Sequence, residues 1–520
     1  MKRHAFLRLA QAGAVVVSAL PATLHAQPSP DTLVIAQSVD IESMEPNMLN
    51  QAVSINVHSH MFGTLLSVTP EGEVVPHLAE SYAWNDEGTE ISFTIREGLT
   101  CEDGEVLDAE DVAYTLNRAA NPDNKFIGHT PGFVFNSIGF VGARAEGPRT
   151  AIMTLKGYSS TVPGMAAKIF IHCKDSYEKL TNEEAVLKTV ASGPYKLVEW
   201  IKDDRVVLTR NPNYTLMEPA FENVIWRVIP EASTRGVELV AGNIDIAVNI
   251  PPDQTEAINA YDTAKVVSVA GTRRMFVGFN FSGAFDGTPG GDAIKDVKVR
   301  QALNMAVDVP TICAQLLGTD CVRANGPANV GNPDIAPYPF DPDAAEKMLD
   351  EAGWPRGADG TRFTLVMQGP NGRYLNDAQV QQAVAQYLSD IGVATSNDLM
   401  TMALFSPMAR EHTAGPVFFI GQGGATWSSV YDMSLFPTRE APVNNGMWFN
   451  EEWQTRWDSL KSIRDPEEEK RVVNEMLTIF HEDAPWIFLY FQPDFYGISS
   501  RITWQPRRDE AIEAWTATLN

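Results

Sequence analysis

One short run in the second half of the chain combines side chains that could hold a small anionic solute. Arg373 offers a planar fork of donors that matches a carboxylate, and Tyr374 offers a flat face with a hydroxyl group. With Asn371, they follow a predicted strand, and open α/β sheets bind ligands at the carboxyl ends of strands. We therefore predict that Asn371, Arg373 and Tyr374 contact a ligand, whereas Asp377 caps the next helix. The alternative for Arg373 is a solvated surface charge.

A second candidate segment is the glycine-rich run from Gly421 to Asp432. Its glycines let the backbone approach a ligand closely, and Trp427, Tyr431 and Asp432 add two aromatic faces and one anion. We predict that these three side chains line a cleft.

A third candidate stretch, residues 444–448, mixes amides with large apolar side chains. We predict ligand contacts from Asn445 and Met447. For Trp448, a ligand contact and a place in the hydrophobic core are equally consistent with the sequence.

Patterns that would indicate catalysis or a metal centre are weak. G-x-S-x-G is absent, and His481-Glu482 lacks the second histidine of a zinc-protease helix. His58 and His60 are two residues apart and point to different sides of a helix, which does not favour a shared metal. We predict no enzymatic activity, no metal and no cofactor. The alternative is a secreted hydrolase of small peptides or sugars, because 66 acidic residues allow many carboxylate pairs.

The elements that would position these residues alternate between strands and helices. The sequence predicts a strand followed by a helix near the N-terminus, a hairpin that leads into a helix capped by Asp108, and repeated strand-helix units after residue 277. A late apolar strand begins at Trp486, from which we infer that the C-terminus returns to the first lobe. This order predicts an α/β fold. A chain of 520 residues is too long for one hydrophobic core, so we expect two or three domains.

The first 26 residues have the features of a secretory signal peptide. Three basic residues precede an apolar stretch that ends near Leu20, and a small residue, Ala26, closes the segment. No cysteine follows that could carry a lipid, so we expect a freely diffusing protein of the periplasm without membrane insertion. Removal of the signal leaves 37 basic and 66 acidic residues, a balance that makes nucleic acid an improbable partner.

The four cysteines are too few for a disulfide framework, although an exported protein meets oxidising conditions. Cys313 and Cys321 flank a short turn, which favours a local disulfide. For Cys101 and Cys173, a disulfide and two reduced, buried thiols are equally consistent with the sequence.

Several motifs together resemble those of the bacterial extracellular solute-binding proteins of family 5, the peptide and nickel binding group. The densest match runs from Pro76 through His77-Leu78-Ala79-Glu80-Ser81-Tyr82, Ile91 to Gly98, and Asp103-Gly104 to Val112. Further pieces in the family's order are Ser192-Gly193-Pro194-Tyr195, Arg210 to Tyr214, Gly242 to Asp245, Val299 to Leu303, and Asp341 to Gly353. The resemblance spans the mature chain, and its motifs identify the fold rather than the pocket.

The resemblance implies an α/β protein with the two-lobed periplasmic-binding-protein fold, type II, cluster C. We place lobe I at residues 31–272 and 486–520, with an inserted subdomain at 70–190, and lobe II at 273–485. The crossings should lie near Gly271 and Ala484. The implied function is that of a monomeric substrate-binding protein, which delivers a peptide or peptide-like solute to the permease and ATPase subunits of an ABC importer. In the family's dipeptide receptors an aspartate binds the ligand's α-amine; Trp427 occupies that position here, which puts simple dipeptide specificity in doubt.

Overall fold

The computed structural model describes residues 28–48, 52–128, 130–329, 332–423, 427–434, 436 and 444–520. The predicted signal peptide lies outside the described residues, as does part of the glycine-rich segment, residues 424–426. None of the helices in the described ranges is both long enough and apolar enough to span a bilayer.

Strands and helices alternate along most of the described chain. The strands are β1 (Thr32–Gln37), β2 (Leu66–Val68), β3 (Val74–Pro76), β4 (Ala79–Trp84), β5 (Glu90–Ile95), β6 (Phe140–Glu146), β7 (Thr150–Leu155), β8 (Tyr195–Ile201), β9 (Arg205–Arg210), β10 (Asn223–Val228), β11 (Ile246–Val248), β12 (Ala264–Phe279), β13 (Phe363–Pro370), β14 (Val393–Met400), β15 (Val417–Gln422), β16 (Trp486–Ser499), β17 (Ile502–Thr503) and β18 (Thr518–Leu519). The helices are α1 (Ala52–Met61), α2 (Ala109–Ala120), α3 (Phe135–Ile138), α4 (Val162–Ala166), α5 (Lys174–Tyr177), α6 (Asn182–Ala185), α7 (Ala232–Val240), α8 (Thr255–Asn259), α9 (Pro289–Ala293), α10 (Val297–Met305), α11 (Val309–Ile312), α12 (Pro342–Glu351), α13 (Asp377–Asp390), α14 (Met402–Arg410), α15 (Ser429–Met433), α16 (Glu451–Leu460) and α17 (Pro466–Asp483).

The largest sheet is mixed and contains ten strands in the order β14-β13-β15-β12-β16-β11-β1-β10-β9-β8. Strand β1 pairs in parallel with β10 and β11, and β13 pairs in parallel with β14 and β15. A separate antiparallel sheet has the order β4-β5-β7-β6 and packs against α2. The large sheet thus joins an early and a late part of the chain.

Two long antiparallel strands, β12 and β16, form the middle of the large sheet. Their register runs from Ala264 opposite Ser499 to Gly278 opposite Trp486, with irregularities on both sides of Arg274. The first half of this pair adjoins β11 and the second half adjoins β15. The two strands therefore carry the chain from one half of the sheet to the other.

Local sequence explains where several elements begin. Asp108 caps α2 in a reciprocal capping box with Asp111, as predicted. The prediction that Asp377 caps α13 is wrong, because Asn376 holds the cap position and Asp377 is the first helical residue. The Asp377 carboxylate accepts hydrogen bonds from the backbone N–H groups of residues 372, 373 and 374, in the loop before the helix. Asp108 thus satisfies a backbone donor that the start of α2 would otherwise leave unpaired, whereas Asp377 orders the loop before α13.

Separate apolar clusters fill the two ends of the large sheet and the smaller sheet. Val277, Leu303 and Leu365 belong to the cluster near β13, whereas Leu33 and Trp226 belong to the cluster around β1. The four-stranded sheet has its own cluster, centred on Phe93 and Leu116. Each cluster is a core of its own, which leaves space between them for a cleft.

Both cysteine pairs are disulfide-bonded. Cys313 and Cys321 form the predicted local bridge, with their Cα atoms 5.7 Å apart. Cys101 and Cys173, which the sequence left open, also form a bridge, with their Cα atoms 6.2 Å apart.

Candidate ligand-binding cleft

A cavity of about 380 Å³ opens where the middle of the large sheet faces α1 and the C-terminal segment. Its walls come from segments that are far apart in the chain and include apolar, amide and charged side chains. The residues that line it are Ile55, Asn56, Ser59, Phe62, Thr64, Ser67, Val68, His77, Ala167, Lys168, Phe170, Thr272, Arg273, Gly423, Tyr431, Arg507, Asp509, Glu510, Ala511, Glu513 and Trp515. We refer to this cavity as the cleft.

Arg507 organises one wall of the cleft. Its guanidinium donates two hydrogen bonds to Asp509, of 2.9 and 2.7 Å, and one of 3.1 Å to Glu513. A further bond of 3.0 Å reaches the carbonyl oxygen of Val68. Burial acts to raise the pKa of Asp509, but Arg507 holds that pKa below its ordinary value. Burial raises the pKa of Glu513, and Arg507 offsets the rise only in part.

Lys168 is a cation of the cleft that forms no ion pair with a carboxylate of the described residues. Its ammonium group makes neither a hydrogen bond nor an ion pair with any side chain in the described ranges. Burial lowers the pKa of Lys168, while the nearby charge of Asp509 opposes this effect. A buried ammonium group without a partner is costly in water-poor surroundings, and a ligand carboxylate would relieve that cost.

The floor of the cleft holds a second charged group at the irregular part of β12. Arg273 forms an ion pair of 3.0 Å with Glu510. Behind this pair lies Asp494 of β16. Its buried Oδ2 atom has no hydrogen-bond partner among the described residues. Burial and the charge of Glu510 raise the pKa of Asp494 to about 8, while Arg273 opposes the shift.

Of the residues predicted in the glycine-rich segment, Tyr431 lines the cleft and its neighbour Asp432 does not. Tyr431 is only 1% exposed and packs into the apolar cluster of the four-stranded sheet. Asp432 is fully buried, forms an ion pair of 3.2 Å with Arg274, and accepts a 2.7 Å hydrogen bond from the backbone of Asn329. Its carboxylate therefore stabilises the fold at this point.

The predicted contacts of the first segment lie beside the cleft rather than in its wall. The Tyr374 hydroxyl donates a 3.1 Å hydrogen bond to the carbonyl oxygen of Gly421. The exposed Arg373 guanidinium lies 5.2 Å from the centre of the Tyr374 ring, and Asn371 is also exposed. Tyr374 is thus held near the cleft, while Arg373 and Asn371 face solvent.

Trp427 joins two distant parts of the chain. Arg508 lies over its ring at 5.3 Å from the ring centre, and a Cβ atom on Gly72 would come within 2.5 Å of it. The indole N–H is buried without a hydrogen-bond partner among the described residues. Trp427 therefore closes the space above Arg508.

Asn445 and Met447 lie at the other end of β15. The Asn445 carbonyl oxygen accepts a 3.0 Å hydrogen bond from His412, and Gly446 between them packs on the Phe279 carbonyl. Phe279 pairs with the first residue of β15, whereas Arg274 pairs with the last. At a rise of about 3.3 Å per residue, the two residues are roughly 17 Å from the end of β15 that reaches the cleft.

His58 and His60 are both buried in α1 and contact the backbone. A ring nitrogen of His58 lies 2.8 Å from the Ser43 carbonyl oxygen, and His60 Nδ1 lies 2.7 Å from the Asn56 carbonyl oxygen. Burial lowers the pKa of each histidine to about 4. These neutral rings support the helix that carries Asn56 and Ser59 to the cleft.

Sequence reasoning missed most of the residues that line the cleft. Lys168 stands in an ordinary apolar context, and only the dense charge of Arg507 to Glu510 near the C-terminus is unusual in the sequence. Their proximity depends on contacts such as the bond from Arg507 to Val68, which are 439 positions apart. The apolar periodicity of the sequence describes local structure and cannot predict a contact between residues so far apart.

Comparisons with known proteins identify the family. A sequence model of the bacterial extracellular solute-binding proteins, family 5, matches residues 73–440. The glutathione-binding protein GsiB of Salmonella paratyphi A is 24% identical over 493 residues, with 91% of each chain covered. The oligopeptide-binding protein AppA of Bacillus subtilis is 24% identical over 501 residues, with 91% of this chain and 90% of AppA covered.

Solved structures agree on the fold. The ABC transporter substrate-binding protein CtaP of Listeria monocytogenes superposes with a TM-score of 0.81 at 20% identity, over 94% of this chain and 99% of CtaP. The α/β, two-lobed fold class predicted from the sequence is confirmed. The chain belongs to the bacterial extracellular solute-binding proteins of family 5.

Proposed function

We propose that this protein is the receptor of an ABC importer and captures a peptide-like solute that carries a carboxylate. The observation that supports this most directly is Lys168, a half-buried cation in the cleft wall that pairs with no carboxylate of the described residues. The ligand carboxylate would complete that pair. The names of the relatives, which bind glutathione and oligopeptides, agree with a ligand of this chemistry.

The cleft is suited to a trap because both proposed lobes contribute to its walls. Arg273, Gly423 and Tyr431 belong to proposed lobe II, residues 273–485, whereas Lys168 and Arg507 belong to proposed lobe I. A ligand that contacts both lobes favours the closed over the open arrangement, since it binds the closed form more tightly. The permease and its ATPase subunits would then reopen the lobes.

We further propose export to the periplasm by the signal peptide at residues 1–26, without a lipid anchor, and a monomeric state. Residues 70–190 would form the inserted subdomain of lobe I. Strands β12 and β16 would be the crossings, with Gly271 at the irregular part of β12. At this glycine a Cβ atom would come within 2.5 Å of the Asp494 carboxylate, so a larger residue would disturb the crossing.

The hydrolase alternative gains no support from family membership. Asp509 and Glu513, two carboxylates of the cleft, both accept hydrogen bonds from Arg507. Of these two acids, Asp509 is a poor proton donor, because Arg507 holds its pKa below the ordinary value. Recovery of a bound peptide unchanged after long incubation is the outcome that the receptor predicts.

Calorimetric titration with reduced glutathione and with trialanine would test the role of Lys168. The variant Lys168→Met should bind the better of these peptides about 10- to 150-fold more weakly, the range of a charged hydrogen bond of about 1.5–3 kcal/mol. Lys347→Met, at an exposed position of α12, is the matched control and should bind like the wild type.

Arg373→Ala is a useful companion variant, because Arg373 is the cation that the sequence suggested. Since Arg373 lies outside the cleft wall, its loss should weaken binding less than the loss of Lys168. If wild type and Lys168→Met bind equally tightly while Arg373→Ala binds much more weakly, the carboxylate site lies in the loop before α13 instead.

A further inference from the structure

A second cavity, of about 420 Å³, adjoins the cleft on the far side of Arg507. Ser59, Ser67, Val68, His77, Arg507, Glu513 and Trp515 line both spaces. The other walls are mainly apolar and include Leu216 and Met217, with Tyr214 and the added cation Arg96. We refer to this second cavity as the side chamber.

Of the guanidinium nitrogens of Arg96, only Nε is held by a hydrogen bond to a described residue. Its Nε atom donates a 2.6 Å hydrogen bond to the His77 carbonyl oxygen. The two terminal nitrogens make no hydrogen bond or ion pair with any described residue. They are two adjacent donors on a permanent cation, which is the arrangement that binds a carboxylate.

The neighbours of Arg96 do not supply the missing negative charge. Burial lowers the pKa of His77 to about 4, so its ring is neutral at pH 7, and its Nε2 atom lies 2.7 Å from the Tyr214 hydroxyl. Glu513, the carboxylate of the side chamber, is already paired with Arg507 at 3.1 Å. Arg96 therefore resembles Lys168 in the cleft, because neither cation forms an ion pair with a carboxylate in the described part of the chain.

The charges of the two spaces together differ from those of the whole chain. Their linings contain four cations, Lys168, Arg273, Arg507 and Arg96, and three carboxylates, Asp509, Glu510 and Glu513. The walls thus carry one surplus positive charge, although the full chain has a net charge of −26. A compound with two carboxylates and one amine carries one net negative charge at pH 7 and would balance that surplus.

We propose that the side chamber is a second anion subsite, in which Arg96 binds a second carboxylate of the same ligand. This inference rests on the proposed function, since Lys168 holds the first carboxylate in the cleft. The ligand is then a peptide-like compound with two separated carboxylates, and the part between them passes Arg507, Glu513 and Trp515. The apolar walls around Leu216 and Met217 accept the uncharged atoms next to the second carboxylate.

The test is a calorimetric comparison of three probes on the full mature protein. Reduced glutathione has two carboxylates, glutathione amidated at its glycine carboxylate has one, and trialanine has one. Glutathione should bind at least about tenfold more tightly than its amide, a difference of about 1.4 kcal/mol. The variant Arg96→Gln should remove this difference by weakening glutathione alone, whereas Arg410→Gln on the exposed face of α14 should preserve it.

A second variant covers the case in which Arg96→Gln fails to fold, as judged by thermal unfolding. Leu216→Trp fills the side chamber without changing a charge and should weaken glutathione more than its amide. Leu187→Trp, at a position that is 64% exposed and lines neither space, is its control.

The outcomes separate this inference from the proposed function. Equal binding of glutathione and its amide, or equal weakening of both by Arg96→Gln, overturns the side chamber as a carboxylate site. If the side chamber is overturned in this way but Lys168→Met still weakens peptide binding, the proposed function stands without a second carboxylate site. If no probe binds and Lys168→Met changes nothing, both fail.

Discussion

Arg507 and Lys168 lie in the same wall but differ in how their donors are used. Arg507 donates to Asp509, Glu513 and a backbone carbonyl, so its charge serves the fold. Lys168 makes no such bond within the described ranges, so its charge is available to a ligand. Replacement of Arg507 would leave buried carboxylates unpaired and destabilise the protein, whereas replacement of Lys168 should mainly change binding.

Asp494 predicts a dependence of stability on pH. Its pKa in the folded state, about 8, lies above the ordinary value of about 4, so the folded state keeps a proton that the unfolded state releases. The favourable contribution is complete below about pH 4 and is lost as the pH rises toward 8, by up to about 1.4 kcal/mol per pH unit. The variant Asp494→Asn should flatten this part of the stability profile.

Urea unfolding at pH 5, 6.5 and 8 measures that profile. The groups that face Asp494 are Glu510, Arg273 and Gln492, and Asn preserves the shape of the protonated acid among them. Asp343→Asn, on the exposed start of α12, serves as the control and should retain the wild-type slope. An unchanged slope in Asp494→Asn would show that this carboxyl group is ionised in the folded protein at neutral pH.

At the scale of elements, local patterns in the sequence predicted much of the fold. The caps at Asp108, Asp296 and Asp341 start α2, α10 and α12, and the alternating runs after Tyr195 form the hairpin of β8 and β9. Each of these depends on residues within a few positions of one another. Local hydrogen bonds and apolar periodicity are sufficient to specify them.

The cleft could not be predicted in the same way. The sequence suggested Arg373 and Asp432, but the first is exposed and the second is paired with Arg274. Strand β12 continues for 16 residues through an irregular register that alternation does not reveal. The C-terminal residues of the wall reach α1 and β2 only through tertiary contacts, such as the 3.0 Å bond from the Ile512 backbone to Asn56.

A contact outside the cleft also joins proposed lobe II to the inserted subdomain. The Arg464 guanidinium, between α16 and α17, lies 3.7 Å from the centre of the Tyr158 ring, and that ring packs 4.9 Å from Trp84. A cation–π contact at such a site is worth about 0.5–1 kcal/mol. If the proposed lobes close on the ligand with this contact in place, the variant Arg464→Ala should weaken ligand binding about two- to fivefold, because it removes the contact without altering the cleft.

Affinity measured by calorimetry, with small-angle scattering of the ligand-free and saturated protein, checks this prediction. Arg464→Ala should require more ligand than the wild type to reach the compact state, while Arg410→Ala should behave like the wild type. Identical titrations for all three proteins would mean that the contact between Arg464 and Tyr158 does not contribute to closure.

At the scale of the whole molecule, one continuous sheet connects two separate cores. Strands β12 and β16 pass between them, and the cleft lies against the irregular part of that pair, near Arg273 and Asp494. A change of angle between the cores would alter the cleft more than either core, since each core is packed independently. Under the proposed function, ligand capture and lobe movement would be coupled through this part of the sheet.

Native mass spectrometry of the protein with a panel of small peptides tests the central claim most directly, because it reports stoichiometry and the chemical state of the ligand together. The account predicts one bound molecule per chain, with at least one carboxylate, released at its original mass and largely lost in Lys168→Met. Fragments of the peptide, or an equally abundant complex in Lys168→Met, would contradict it.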